Sequence, residues 1–150
     1  MGLDIHGWIE ITYASEGEAQ DDTMWMGVTR LAPLVDVPDD FSETVFGFSK
    51  RAVTKPADFN PIASGRGIPT VCSREVRDDI ARIRDHERQY GPGECGGFTF
   101  VSYAELMRVN WDSVAVRPHE SEWSTVFRVL DALGSRFDHE KIRLVTWWVW

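Results

Sequence analysis

The chain has 150 residues, 43% of them hydrophobic and 27% charged, and a formal net charge of −8. These values exclude a disordered polymer and predict one globular domain over residues 1–150. No apolar run reaches the roughly 18 residues of a membrane span, and the first residues lack the features of a signal peptide, so we expect a cytoplasmic protein without a membrane-bound part.

The amino-terminal part of the chain predicts two strands. Residues 3–13 alternate between an apolar and a more polar face, and this period of two predicts a strand with one buried face. The small, polar and acidic residues 14–23 predict a loop, and a second strand is expected over residues 24–29. The apolar segment 41–48 is too short to assign to helix or strand. Three prolines and two glycines predict irregular structure over residues 50–69.

The carboxy-terminal part predicts three helices and two strands. Ser73 as an N-cap and a thin apolar stripe predict a helix over residues 73–89, and a short strand follows at 98–101. A capping box, Ser102-Tyr103-Ala104-Glu105, begins a short helix, and a longer helix is expected from Trp123 to Gly134. Residues 141–150 predict a strand that is apolar on both faces. Such a strand is either buried on both sides or keeps one face for a partner.

The order of these elements lacks regular βαβ alternation. It predicts an α+β fold, with a mostly antiparallel sheet that includes the N- and C-terminal strands and about three helices packed on one face. Cys72 and Cys95 form no Cys-x-x-Cys pair, so neither a disulfide framework nor a structural zinc site is predicted.

The excess negative charge is confined to the amino-terminal region. The first 43 residues carry ten carboxylates and, among Lys and Arg, only Arg30, whereas the other 107 residues have a net charge of +1 with His neutral. One interpretation is a polar loop that keeps the protein soluble. The other is an acidic face that docks on a basic partner, with Trp25, or Trp148 and Trp150, as the apolar anchor. The partner-binding residues predicted in this second case are Glu16, Glu18, Asp21, Asp22, Trp25, Asp36, Asp39, Asp40 and Glu43.

Two smaller features have a structural and a functional interpretation. Asp4 and His6 project from the same face of the first strand, where they could contribute to a metal site or act as a base with its orienting acid, or form ordinary hydrogen bonds. A metal site requires a third ligand, which the sequence does not identify. Arg66, between Gly65 and Gly67, could present donors to a phosphate, although a turn that needs glycine explains the same residues.

Four segments of the chain resemble a family of small proteins from bacteriophages and prophages. Met1-Gly2-Leu3-Asp4-Ile5-His6 resembles the family opening MG-x-DIH, and residues 61–69 (PIASGRGIP) resemble its PIA-x-x-RGLP segment. Residues 100–107 followed by Asn110-Trp111-Asp112 are similar to SWLTLAELL…DW, and residues 143–148 resemble the closing RLVFWFD. The chain departs from the family at its last residues, which are Trp148-Val149-Trp150 instead of an acidic end. The resemblance implies a phage or prophage origin, and hence a bacterial host cell, but no particular reaction.

Three functional hypotheses follow. The first is a protein without catalytic activity or cofactor that blocks a host nucleic-acid-handling defence complex, of the CRISPR or restriction kind, by docking its acidic face on a basic surface. Direct DNA binding by that face is disfavoured because the charges repel. The second is a metal-dependent hydrolase or nucleotide-processing enzyme that uses Asp4 and His6. The third is an assembly protein that forms a homodimer through its Trp-rich C-terminal strand.

Overall fold

A computed structural model of the protein describes residues 2–15, 21, 24–48 and 60–150. Its strands are β1 (Asp4–Thr12), β2 (Trp25–Arg30), β3 (Cys95–Ser102) and β4 (Ile142–Val149). Its α-helices are α1 (Asp40–Phe46), α2 (Arg74–Tyr90), α3 (Tyr103–Met107) and α4 (Ser124–Gly134), with short 3-10 helices at Pro118–Glu120 and His139–Lys141. Within these ranges, no helix combines the length and apolarity needed to cross a membrane.

The four strands form one antiparallel sheet in the order β2-β1-β4-β3. The two terminal strands are neighbours at its centre, where Ile5 lies opposite Trp148 and Ile9 lies opposite Leu144. Because β4 pairs with β1 on one side and β3 on the other, it has no open edge for a second copy of the chain. A homodimer through the C-terminal strand stays a prediction, and edge pairing of β4 with a second copy would require displacement of β1 or β3.

The predicted α+β class with a mostly antiparallel sheet is confirmed, but the helices lie on both faces of the sheet rather than on one. Ile5, Ile9 and Leu144 belong to the larger core, which α1, α3 and α4 cover. Val145 and Trp147 point to the opposite face and pack against α2. Helices are needed on both faces because β4 has apolar side chains on both sides. The apolar stripe of α2 covers the face that α1, α3 and α4 leave open.

Covering this second face also changes the environment of polar residues in β1. Glu10 was expected on the polar side of a half-buried strand, but it is fully buried. It accepts hydrogen bonds from the backbone N–H of Ser73 at 2.6 Å and from Nε of Arg143 at 2.7 Å. The partners come from the N-cap of α2 and from β4, so one buried carboxylate joins three elements.

The segment that the sequence left unassigned forms helix α1. Asp39 is its N-cap and makes a reciprocal capping box with Ser42, and Gly47 ends the helix in the left-handed region at a φ of 79°. Phe41, Val45 and Phe46 are buried on its inner face. The loop predicted at residues 14–23 lies outside the described residues at 16–20 and 22–23. The irregular segment predicted at 50–69 lies outside them at 50–59, and residues 60–69 contain no helix or strand.

Candidate functional site

Acidic side chains from two distant parts of the chain line a single groove beside α1. Asp39, Asp40 and Glu43 come from the predicted acidic set, and Glu120 and Glu122 come from the segment that precedes α4. The groove has a volume of about 610 Å³, and Arg117 is the one basic side chain among its described lining residues. We call this feature the acidic groove.

Asp39 holds the two walls of the acidic groove together. One carboxylate oxygen accepts the backbone N–H of Ser42 at 3.1 Å and so begins α1. The other oxygen accepts the backbone N–H of Glu122 at 3.0 Å, across 83 positions of sequence. This contact fixes the backbone of α1 next to the backbone of Glu122, and so brings the carboxylates of Asp40 and Glu122 to the same groove. Asp40 lies in the first turn of α1, where the helix dipole favours negative charge.

The electrostatics of the groove favour a cation. Among the lining residues that the structure describes, five carboxylates face one guanidinium, so negative charge predominates there at neutral pH. The Arg117 guanidinium lies 3.9 Å from the carboxylate of Glu120, and both side chains are largely exposed, so this pair offsets little of the field. A basic ligand would be drawn to the groove over about 8–10 Å at physiological salt, and the attraction would weaken as salt is added.

The other predicted acidic residues that the structure describes do not line the groove. Asp21 and Asp36 are exposed but do not line it, and Glu16, Glu18 and Asp22 lie outside the described residues. Of the described members of the predicted set, Asp39, Asp40 and Glu43 line the groove. Glu120 and Glu122 were missed, because no local pattern relates them to residues about 80 positions earlier.

Trp25 corrects the expectation of an exposed aromatic anchor. Its side chain is only 7% exposed, and the guanidinium of Arg143 lies 3.5 Å from the centroid of its ring. Trp25 therefore packs in a cation–π contact next to the buried pair of Glu10 and Arg143, where no partner can reach most of its surface. Trp148 is half-buried, and Trp150 is exposed at the end of the chain.

The second hypothesis placed Asp4 and His6 in a metal site. Asp4 is exposed near the start of β1, and His6 is half-buried and lines a cleft beneath α2. Within the part of the chain that the structure describes, no three His, Cys, Asp or Glu side chains are grouped so that they could hold a metal ion. The third ligand that this hypothesis requires is not found among those residues.

Arg66 connects its own turn to β3 and α3. Its guanidinium donates to the backbone carbonyls of Phe100 at 3.2 Å and Ile62 at 3.2 Å, and it pairs with Glu105 at 2.8 Å. Burial opposes ionisation of Glu105, but the hydrogen bond and charge of Arg66 outweigh it and lower the pKa of that carboxyl. Gly65 and Gly67 have φ values of 65° and 82°, in agreement with the interpretation of this segment as a turn that needs glycine.

A further cluster of titratable groups joins α3 and α4. The carboxylate of Asp131 accepts a hydrogen bond from the Tyr103 hydroxyl and lies 2.7 Å from Nε2 of His119. Burial and the adjacent carboxylate raise the pKa of Tyr103 to about 12. Although burial acts in the opposite direction, the hydrogen bonds from Tyr103 and His119 lower the pKa of Asp131. These contacts favour the ionised carboxylate and tie two helices together.

The comparisons with known proteins leave the site to be interpreted from its own geometry. No protein-family model, curated protein or solved structure matches the chain. The resemblance to phage proteins stays a prediction. The functional assignment rests on the residues that the fold brings together, above all the five carboxylates of the acidic groove.

Proposed function

We propose that the protein has no catalytic role and acts by binding, with its acidic groove as the contact for a basic surface of a partner protein. One observation carries this proposal: five carboxylates line one groove whose described lining residues include a single basic side chain, Arg117. They belong to Asp39, Asp40, Glu43, Glu120 and Glu122. The backbone contact between Asp39 and Glu122 keeps the two walls, and hence the carboxylates, close together. The groove is therefore built to receive lysine or arginine side chains.

The volume and charge of the groove define the kind of partner. About 610 Å³ is in the range of ligand pockets and accommodates a few side chains of a protein segment. A nucleic acid duplex is repelled, since it carries one negative charge per roughly 1.7 Å. Basic, exposed segments are characteristic of proteins that bind nucleic acid. Occupation of such a segment by the acidic groove would prevent its owner from binding nucleic acid.

We also propose a specific class of partner. With the phage resemblance, the partner is a host complex that handles nucleic acid in defence, of the CRISPR or restriction kind, and the protein inhibits it in the host cytoplasm. The charge complementarity would increase the rate of association and select this class of surface over neutral ones.

A pull-down with matched variants tests the proposal. The groove variant Asp40→Asn/Glu43→Gln/Glu122→Gln removes three groove charges and keeps Asp39, which caps α1. The control variant Asp78→Asn/Asp85→Asn/Asp138→Asn removes three exposed charges elsewhere, so the two variants have the same net charge. Each tagged protein is incubated with bacterial lysate at two salt concentrations, about 0.1 M and about 0.5 M. At the higher concentration, the attraction between exposed charges is strongly screened.

The proposal predicts that the wild type and the control variant recover the same basic, nucleic-acid-binding protein at low salt. It also predicts that high salt or the groove variant abolishes the recovery. The recovered protein should bind its nucleic acid less tightly when the wild type is added. Recovery that is equal with the groove variant, recovery that is independent of salt, or no recovered partner would contradict the proposal.

A further inference from the structure

We propose that a second site, the cleft between α2 and the sheet, binds a small basic amino acid, with its carboxylate at one end of the cleft and its side-chain cation at the other. The cleft has a volume of about 370 Å³ and lies on the face of the sheet opposite α1 and α4. This volume suits a small molecule. The lining divides into a cationic end, an apolar wall and an anionic end, and each part selects one part of the ligand.

The cationic end is organised by one buried carboxylate. Asp79, with a side chain only 8% exposed, accepts two hydrogen bonds from Arg30 at 2.7 and 3.3 Å and also pairs with Arg82. The indole N–H of Trp8 donates to the same carboxylate at 2.8 Å, and the guanidinium of Arg30 lies 4.5 Å from the centroid of the Trp8 ring. Two guanidinium groups on one carboxylate leave a charge of +1.

These arginines are held in place but retain donors. Arg30 and Arg82 are 48% and 67% exposed, and each guanidinium has five N–H donors, more than Asp79 can accept. Burial opposes ionisation of Asp79, but the hydrogen bonds of Arg30 and Trp8 and the charges of both arginines outweigh it and lower the pKa of the carboxyl. The arrangement presents fixed, charge-assisted donors to a carboxylate of the ligand.

The anionic end lies farther along α2. Glu87 is eight residues after Asp79, or about 12 Å along the helix axis, and Glu94 follows in the next loop. Burial raises the pKa of the Cys95 thiol, and the nearby carboxylates of Glu87 and Glu94 raise it further. Glu94 pairs with His86 at 3.0 Å, whereas Glu87 has no ion-pair partner among the described residues. Glu87 is therefore the group we assign to the cationic end of the ligand.

The wall between the two ends is apolar, with Ile83 from α2 and Trp147 and Val149 from β4. An aliphatic chain fits such a wall. The charged lining groups, two arginines against Asp79, Glu87 and Glu94, sum to −1 with neutral histidines, which disfavours a dianionic phosphate ligand. A ligand with one carboxylate, an aliphatic chain and a guanidinium or ammonium matches all three parts. L-arginine is the simplest probe, and its additional α-ammonium is assigned to the solvent side of the cleft, because Asp79 is already paired.

Isothermal titration of the full-length protein tests the proposal with four probes at millimolar concentration. L-arginine carries both charged ends. Citrulline replaces the guanidinium by a neutral group, agmatine lacks the carboxylate, and a nucleoside monophosphate tests a phosphate ligand. Arg82→Gln and Glu87→Gln each remove one charged end of the cleft. Arg84→Gln and Asp85→Asn remove the same charges from exposed positions of α2 that do not line the cleft.

We expect saturable binding of L-arginine to the wild type, Arg84→Gln and Asp85→Asn. Arg82→Gln and Glu87→Gln should each weaken it about tenfold or more while the helical circular dichroism signal is unchanged, because each loses a charge-assisted contact. Citrulline and agmatine should bind correspondingly more weakly. No saturable binding, equal effects of the cleft and control substitutions, or preference for the nucleoside monophosphate would overturn the proposal.

This inference is independent of the proposed partner binding. The acidic groove also attracts arginine, so the groove variant Asp40→Asn/Glu43→Gln/Glu122→Gln is titrated as well. It should bind L-arginine as the wild type does, since none of its three changes lines the cleft. Loss of L-arginine binding in that variant would move the site to the groove and refute the assignment to α2.

Discussion

The substitution Glu10→Gln tests the buried pair that connects both terminal strands to α2. Glu10 is 0% exposed, and Arg143, its partner at 2.7 Å, has a side chain only 11% exposed. Arg143 also donates to the backbone carbonyl of Val71 at 2.6 Å and lies against the ring of Trp25. The substitution preserves the shape of the side chain and one acceptor oxygen, but it removes the negative charge.

The expected loss of stability is large because the guanidinium stays buried without its counterion. Removing one partner of a buried pair lowers the free energy of unfolding by about 3–5 kcal/mol. The retained amide oxygen still accepts one hydrogen bond, so we expect a loss of about 3 kcal/mol, at the lower end of this range. That is a large fraction of a total stability of about 5–15 kcal/mol. For a domain of this length it corresponds to a decrease in Tm of roughly 6–12 °C.

Equilibrium unfolding in urea, followed by tryptophan fluorescence, measures this loss. The double variant Glu10→Leu/Arg143→Met removes both charges together, and apolar replacement of a whole buried pair is often close to neutral. It should therefore recover most of the stability that Glu10→Gln loses. A loss below about 1 kcal/mol for Glu10→Gln, or a double variant less stable than the single one, would refute the reasoning.

Three further predictions concern the fold around the two sites. Gly7 has a φ of 136°, and a Cβ at this position would overlap the carbonyl oxygen of Val145. Gly7→Ala should therefore prevent folding or lower the urea midpoint. The control Gly65→Ala should have a much smaller effect, because Gly65 has a φ of 65° but open space around it. Asp39→Ala should lower the free energy of unfolding by about 1–2 kcal/mol through loss of the cap, and amide exchange should increase at the start of α1. Folding lowers the pKa of the Asp79 carboxyl below its ordinary value of 3.8. The ionised carboxylate therefore stabilises the fold fully above pH 3.8, and this stabilisation is lost as the pH falls through the pKa of Asp79 in the folded protein. Acid unfolding curves of Asp79→Asn should therefore be flatter below about pH 4 than those of the wild type, and parallel curves would contradict the assignment.

The sequence predicted those elements whose signal is local. Each of these signals lies within a short stretch of consecutive residues. They are the alternation in β1, the N-cap and apolar stripe of α2, and the apolar stripe of α4. The α1 segment could not be assigned, since a seven-residue helix depends on its capping box and on the left-handed Gly47 more than on periodicity. The side of the sheet that α2 covers was also missed, because a thin apolar stripe does not specify which face it will bury.

The candidate site was predictable only in part, for a similar reason. Asp39, Asp40 and Glu43 were identified from local charge density, whereas Glu120 and Glu122 join them through a backbone contact to Asp39 that no short-range pattern indicates. Trp25 shows the opposite error. An aromatic residue beside an acidic loop was expected to be exposed, but a cation from the last strand packs against it and buries it.

Fluorescence anisotropy with a labelled arginine-rich peptide tests most directly whether the acidic groove binds basic segments. The wild type, the groove variant and the control variant are compared at about 50 mM and about 500 mM salt. If the acidic groove binds basic segments, the wild type and the control variant should bind the peptide saturably at low salt. Binding should be at least about tenfold weaker for the groove variant and for the wild type at high salt. Equal affinity of the groove and control variants at low salt would show that net charge, and not the groove, attracts the peptide, and would contradict the account.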